Sequence, residues 1–518
     1  MVPLVIIILY LVVLLWLGRY AHVAFSKHTS GDYFLASRTI GPFLLVMSIF
    51  GTTMTAFALV GSTGEAFKAG IGVYGLMASW SGIVHSACFF LVGIKLWKLG
   101  KKYGYTTQIQ YFRDRFESPA LGMVLFPVLV GLVIPYLLIG ILAGGTTIEK
   151  VTVSAFPSWF ASTHGGVPHQ IGSAVICAVV LAYVFGGGLR STAWANALQT
   201  CVFMALGVIT FAVIATKLGG LAAATRMITA QRPDLLIRGS VDGIHPGHIS
   251  HLRFLTYAFI PLSVAMFPHL FQHWMTAKSA RTFRPVVILH PIFILIVWVP
   301  CVLLGVWAAG QFAGKPIIPP PVAHNPNAVL GFMVKKLTNP YLAGLLTIGI
   351  LAAIMSSLDS QFLCLGSMFT HDVVLHHFGE DRFSDAQRIL IGRVFVVAMI
   401  GVAYLFSLAE PRSVFTLAVW CFSGFAALFP LVLAALYWPR VTKAGAISSV
   451  LAAAVAWLLL FHMSDWGADR EYLFLGMMPV ATIFAAAAAT LVIVSLLTQP
   501  PSEETLQRYF PESETVIG

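Results

Sequence analysis

The sequence predicts an all-α polytopic membrane protein with about 13 transmembrane helices, and three observations carry that prediction. Of 518 residues, 58% are hydrophobic and 10% charged, whereas soluble domains carry ~25% charged residues to keep their surfaces wet. The mean hydropathy is +0.86. Apolar runs of about 20 residues, the length that crosses ~30 Å of hydrocarbon with every backbone group bonded internally, recur along the whole chain. Together these exclude disordered and soluble-enzyme classes. The net charge of +11 comes from 31 basic residues scattered between apolar runs. A nucleic-acid site would gather them in one stripe, so they read as topology signals. The six cysteines lie far apart inside apolar runs, and their spacing indicates neither a disulfide framework nor a zinc site.

The runs fall at roughly 2–18, 42–67, 71–96, 118–146, 169–186, 191–215, 252–275, 284–309, 340–368, 387–408, 413–437, 444–463 and 471–497. The first has no basic residue before it and Arg19, Lys27 and Arg38 after it, which places the N-terminus outside the cell membrane. Alternating from there, the inside loops hold Lys98, Lys101, Lys102, Arg113, Arg115, Lys278, Arg281, Arg284, Arg382, Arg388, Arg440 and Lys443. The stretch 216–251 also carries basic residues, but long loops count little in this rule. An odd number of spans puts the acidic tail, with Glu503, Glu504, Glu512 and Glu514, in the cytoplasm.

Two spans are interrupted. The second reads Gly51-Thr52-Thr53-Met54-Thr55 at its middle, with Gly61 and Gly64 following; threonines beside glycine weaken a helix and offer competing hydroxyls. The seventh contains Pro261 and Pro268, each of which deletes a backbone donor and frees a carbonyl. If ten core helices begin at the second span, these are the first and sixth, the correspondence that two inverted five-helix repeats give in transporters. The ninth span carries Ser356-Ser357-Leu-Asp359-Ser360, and positions 353, 356, 357, 360, 364 and 367 share one helical face. A small-residue stripe is the ordinary signature of close helix packing. Asp359 argues for more, because a carboxylate in mid-membrane costs roughly 2.5–3.5 kcal/mol and calls for a cation, a proton or a polar partner. Carbonyls of the second span and hydroxyls of the ninth could together cage a hard monovalent cation such as sodium.

In order along the chain, Gly31-Asp-Tyr-Phe-Leu-Ala-Ser-Arg38, Gly187-Gly-Leu-Arg-Ser-Thr-Ala-Trp-Ala-Asn-Ala-Leu-Gln199, Phe267-Pro-His-Leu-Phe-Gln272 and the Ser356-Ser357 segment resemble the sodium:solute symporter family. That group includes sodium-coupled sugar, proline, pantothenate and sialic acid carriers. The resemblance implies a leucine-transporter-like core of ten helices (42–437). One helix and a loop precede it (1–41), two helices follow (438–498), and a tail closes the chain (499–518). By position it implies a sodium site of the Gly51, Met54 and Ala353 carbonyls with the Ser356 and Ser357 hydroxyls. The family usually has an aspartate where this chain has Asn196; Asp359 and Ser360 are then the candidates for a compensating charge or a second ion site.

The solute pocket is expected between the broken helices, lined by Thr55, Ala58, Trp80, Tyr136, Tyr257, Phe259 and Ser263. With no lysine or arginine entering it, a small neutral, zwitterionic or monocarboxylate solute is favoured over a dianion, with sugars next. Two other signals are set aside. Gly70-Ile-Gly72-Val-Tyr-Gly75 matches a dinucleotide fingerprint but opens a membrane span with no preceding strand. His245, His248 and His251 could bind a metal, yet Pro246 and Gly247 spoil a shared helical face. Nothing resembles a nucleophile, base and oxyanion set, so no enzyme activity is expected. The leading expectation is sodium-coupled symport of a small organic solute by alternating access, with the lipid bilayer and sodium as partners and no nucleic acid. Proton coupling or exchange on the same fold is the alternative. A membrane solute sensor is disfavoured by the short segment after the last span.

Overall fold

The computed structural model describes residues 2–25, 29–238, 249–409 and 414–511. His245 and His248 of the histidine group, Lys27, Glu512 and Glu514 lie outside the described residues. Ten helices among those described are long and apolar enough to cross a membrane. They are α1 (Val2–Phe25), α4 (Gly72–Tyr103), α6 (Pro119–Thr152), α7 (His169–Lys217), α10 (Ala280–Ala308), α11 (Pro340–Phe378), α12 (Asp385–Leu408), α13 (Val414–Tyr437), α14 (Lys443–Met463) and α15 (Pro479–Leu497). Two bent pairs raise the number to as many as 12: α2 (Pro42–Thr53) with α3 (Phe57–Ala69), turned by 54°, and α8 (His251–Ala265) with α9 (Pro268–Met275), turned by 48°. The short α5 (Gln108–Arg115) and the C-terminal α16 (Glu503–Tyr509) complete the elements used below.

The sequence separates two spans, 169–186 and 191–215, within α7, and the 49-residue helical stretch is broken between them. At 1.5 Å per residue its 49 residues make roughly 74 Å of helical path, enough for two crossings of a hydrocarbon core. It turns at Gly188, where φ is +56° and ψ is −147°. A Cβ there would meet the Tyr33 carbonyl oxygen at 2.4 Å, so glycine is required by conformation and by space. The count of about 13 rests on reading α7 as two crossings joined at this turn.

Helix starts follow from local chemistry. Asn339 Oδ1 accepts from the Leu342 amide at 2.8 Å to begin α11, Ser384 and Gln387 form a reciprocal cap on α12, and Thr442 caps α14. Ser118 with Pro119 opens α6. Burial then ranks the helices. Every residue of α11 from Leu346 to Met368 is buried, and the helix packs on α1, α2, α6, α7 and α12. α13 is similarly enclosed, against α6, α8 and α15. α12, α14 and α15 turn broad apolar faces outward, including Leu390, Val394, Leu458 and Leu497, as lipid-facing helices do.

Gly188→Ala should lower the thermal unfolding midpoint of the purified protein through a loss on the order of 1–3 kcal/mol from backbone strain. Gly186→Ala, where nothing lies within 4 Å of the added Cβ, serves as the control that leaves the midpoint nearly unchanged.

Candidate functional site

The break between α2 and α3 is built by hydroxyls and dihedrals. Met54 has φ −87° and ψ 82°, outside the helical region. The Thr53 hydroxyl donates back to the Ile49 and Phe50 carbonyls at 2.9 Å each. Thr55 Oγ1 accepts from the Phe57 amide at 3.0 Å and restarts the chain. The matching break in α8 and α9 combines Pro261 within a 3₁₀ stretch, Tyr257–Ala265, with Pro268 in the first turn of α9.

The buried middle of α11 meets the first break. Ser356 Oγ donates to the Gly51 carbonyl at 2.8 Å and lies 3.0 Å from the Ala353 carbonyl. The Ser357 hydroxyl donates to the Ile354 carbonyl at 2.9 Å. Gly51 lets α2 approach α7 as well, since a Cβ there would meet Thr200 Oγ1 at 2.4 Å. The structure therefore brings Gly51, Ala353 and Ser356 into contact beside the non-helical Met54. Every polar atom in this set is a neutral carbonyl or hydroxyl oxygen, the donor type a hard alkali cation takes.

One turn further along α11, Asp359 is fully buried and faces Asn196 of α7. With its amide nitrogen turned toward acceptors, Asn196 donates to Asp359 Oδ1 and Oδ2 at 3.1 and 2.9 Å and to the Ser356 carbonyl at 3.1 Å. Tyr183 donates its phenolic proton to Asp359 Oδ2 at 3.0 Å. Ser360 Oγ lies 3.0 Å from Asp359 Oδ1 and 3.0 Å from His273 Nε2. The other nitrogen of His273, Nδ1, lies 3.0 Å from Ser48 Oγ. The network thus joins α2, α7, α9 and α11. Sequence reasoning found Asp359, Ser360 and Asn196 but missed Ser48, Tyr183 and His273. His273 was findable, because an imidazole inside a membrane helix is expensive unless it serves a purpose. Tyr183 carries no signal that separates it from other membrane aromatics.

Beside these contacts lies a narrow cavity of about 30 Å³. Of the residues expected around a solute, Tyr136, Tyr257 and Ser263 line it, joined by Thr53, Phe57, Ser81, His85, Trp298 and Phe422. The phenolic oxygens of Tyr136 and Tyr257 are buried without a hydrogen-bond partner. None of the described residues lining the cavity is a lysine, arginine, aspartate or glutamate. The four remaining expected residues are placed elsewhere. Trp80 donates from Nε1 to the Phe254 carbonyl at 3.1 Å, and the Phe259 ring packs 4.8 Å from Phe484 on α15. Thr55 is spent on the helix restart, and buried Ala58 gives its carbonyl to Ser62. Alternation of apolar and small residues could not reveal which helical face the irregular α8 turns inward. His85 was missed for a different reason: its partner, His290, lies on α10, with His85 Nδ1 3.0 Å from His290 Nε2.

Comparison with known proteins gives concordant results. The sodium:solute symporter family model matches residues 33–453. The osmoregulated proline transporter OpuE of Bacillus subtilis (strain 168) is 26% identical over 509 residues, covering 97% of this chain and 96% of the relative. The sodium/proline symporter of Escherichia coli (strain K12) is 25% identical over 514 residues, covering 94% and 92%. Among solved structures, the substrate-bound outward-open state of a Na+-coupled sialic acid symporter aligns with a TM-score of 0.74 at 17% identity, over 97% of this chain and 99% of the other. A nucleobase-cation-symport-1 family transporter, Mhp1, closed with bromovinylhydantoin bound, aligns with a TM-score of 0.56 at 13% identity, over 92% and 97%. These two likenesses establish the leucine-transporter-like fold.

Tyr183→Phe should destabilise the protein by about 1–3 kcal/mol, the range for removing one partner of a buried polar contact. Thermal unfolding of Tyr183→Phe, Asp359→Asn and the double variant should give a double-variant loss smaller than the sum of the single ones, because the two groups share one hydrogen bond.

Proposed function

The chain belongs to the sodium:solute symporter family, with sodium as its coupling ion, and from that premise we propose that it carries a small zwitterionic or monocarboxylate solute, an amino acid of the proline type first. It is a multi-pass membrane transporter and not an enzyme. Two observations support the solute class. The cavity carries no formally charged lysine, arginine, aspartate or glutamate among its described lining residues and holds two unpartnered phenols, which suits a compact solute with balanced charge. The relatives named above are proline carriers. Sugars are the next class.

The observation that carries the ion reading is the 2.8 Å contact of Ser356 Oγ with the Gly51 carbonyl at the break of α2. In this reading sodium is held by the carbonyls of Gly51, Met54 and Ala353 and the hydroxyls of Ser356 and Ser357. The Ser356 proton then rotates away, so that a lone pair faces the ion. The hydrogen bond and the ion are alternatives, and exchanging one for the other reseats α2 against α11. An ion that fits one arrangement better shifts the population of bundle orientations, which is the requirement for alternating access. Asp359 supplies the negative charge that Asn196 lacks, with Ser360 completing a second ion or charge-partner position. The direct Asn196 to Asp359 contacts support an exchange of place between carboxylate and amide. The N-terminus faces outward and the C-terminus the cytoplasm. One charge moving down 100 mV supplies about 2.3 kcal/mol, and a tenfold sodium gradient about 1.4 kcal/mol more. The two together support at least a hundredfold accumulation.

A second reading, proton coupling, is favoured by one observation: Asp359, Ser360 and His273 form a continuous buried polar path. Proteoliposome uptake of radiolabelled proline under separate sodium and proton gradients distinguishes the two. Uptake should follow the sodium gradient, fall at least tenfold in Asp359→Asn, and return in the reciprocal variant Asn196→Asp with Asp359→Asn. Uptake driven by protons alone contradicts sodium coupling. A folded but inactive reciprocal variant contradicts the charge exchange.

A further inference from the structure

At one end of the membrane domain, a cation is buried with no ion pair at contact distance among the described residues. Arg115, the last residue of α5, is 0% exposed. Its Nε donates to the Ala435 carbonyl at 3.1 Å, while Nη1 and Nη2 have no partner. The rings of Phe116, Tyr509 and Phe510 surround it at 5.2, 5.8 and 5.0 Å. Burial pulls the guanidinium down from its ordinary pKa. Ring contacts offset a desolvated charge only in part, at about 0.5–2 kcal/mol each, and a guanidinium brings five donors to satisfy.

Arg115 lines a cavity of about 140 Å³ together with Glu117, Thr442, Lys443, Ser502 and Thr505. The 21-residue α14 begins there at exposed Lys443, so its first amides and the positive end of its dipole lie at the cavity. The one acid in the lining, Glu117, is engaged by the hydroxyls of Ser502 and Thr505. Arg115 precedes α6, Lys443 opens α14, and the lining residues Pro500 and Pro501 follow α15. Three spans therefore end at this level, the depth of lipid headgroups.

We propose that this cavity binds a phosphate group, held by Arg115, Lys443 and the amides of Lys443 and Ala444, which precede the capped amide of Gly445. Its source is either an anionic phospholipid headgroup or free inorganic phosphate. The occupant pins the C-terminal helix to the membrane domain, beside the Tyr105 and Tyr509 hydroxyl contact at 2.5 Å and the Arg508 to Asp114 pair at 3.5 Å. None of these residues belongs to the ion or solute sites, so this proposal stands or falls apart from the transport reading.

The test is thermal unfolding of the full-length protein in neutral detergent, titrated with phosphatidylglycerol, with phosphatidylcholine, or with inorganic phosphate at an ionic strength matched by chloride. Wild type is compared with Lys443→Gln, an exposed substitution that spares the fold, and with Arg115→Met. A rise in midpoint with phosphatidylglycerol alone assigns a lipid, and one with inorganic phosphate assigns the free ion. Either should require about tenfold more ligand in Lys443→Gln, the loss of one charge-assisted contact. No rise with any additive, an equal rise with phosphatidylcholine, or identical titrations for wild type and Lys443→Gln overturns the proposal, whether or not Arg115→Met folds.

Discussion

A backbone carbonyl inside a bilayer must find a partner, and this constraint organises the whole molecule. Where α2 stops being a helix at Met54, the freed groups cannot turn to water, so the broken segment has to lie against a helix rich in hydroxyls. α11 is that helix. Its burial from Leu346 to Met368 brings Ser356 to the Gly51 carbonyl. The glycine at 51 and the small side chains at 353, 356, 357 and 360 follow from the same need for close approach. In the proposed function an ion competes for this oxygen-lined contact between α2 and α11, which would link the packing of the core to the energetics of transport.

The second organising feature is a carboxylate on α11 facing an amide on α7. A lone carboxylate there would be severely penalised, but Asp359 meets Tyr183, Ser360 and Asn196 at hydrogen-bonding distance. Through Ser360 it reaches His273 and then Ser48 on α2. α2 is thus held twice, to α11 through the Gly51 carbonyl and to α9 through the Ser48 and His273 side chains. A change in the charge or ion occupancy at Asp359 would be felt at both breaks. In the same way, the unpartnered Tyr136 and Tyr257 phenols mark the cavity proposed for the solute.

Much of this was legible in the sequence, for identifiable reasons. Membrane spans announce themselves by length and hydropathy. The two broken helices announced themselves through Thr52, Thr53 and Met54 and through Pro261 and Pro268, residues whose local chemistry opposes a continuous helix. The serine stripe and Asp359 followed from period and from the expense of a buried charge. The cavity was legible only in part. Tyr136, Tyr257 and Ser263 were found, while Trp80 and Phe259 turn to other helices. Which way an aromatic faces on a 3₁₀ stretch depends on tertiary packing that no short window encodes. The His85 and His290 pair, more than two hundred positions apart, depends on the fold itself. The break within α7 was legible too, because Gly186, Gly187 and Gly188 separate two apolar runs and the backbone turns at the last of them.

The most direct measurement is equilibrium binding of radioactive sodium to the purified chain, compared with a Ser356→Ala, Ser357→Ala double variant whose folding is verified by thermal unfolding. The account predicts saturable sodium binding in the wild type and loss of at least one bound ion per chain in the variant. Equal stoichiometry and affinity in both proteins would contradict it, because the hydroxyls of α11 would then have no part in holding the ion.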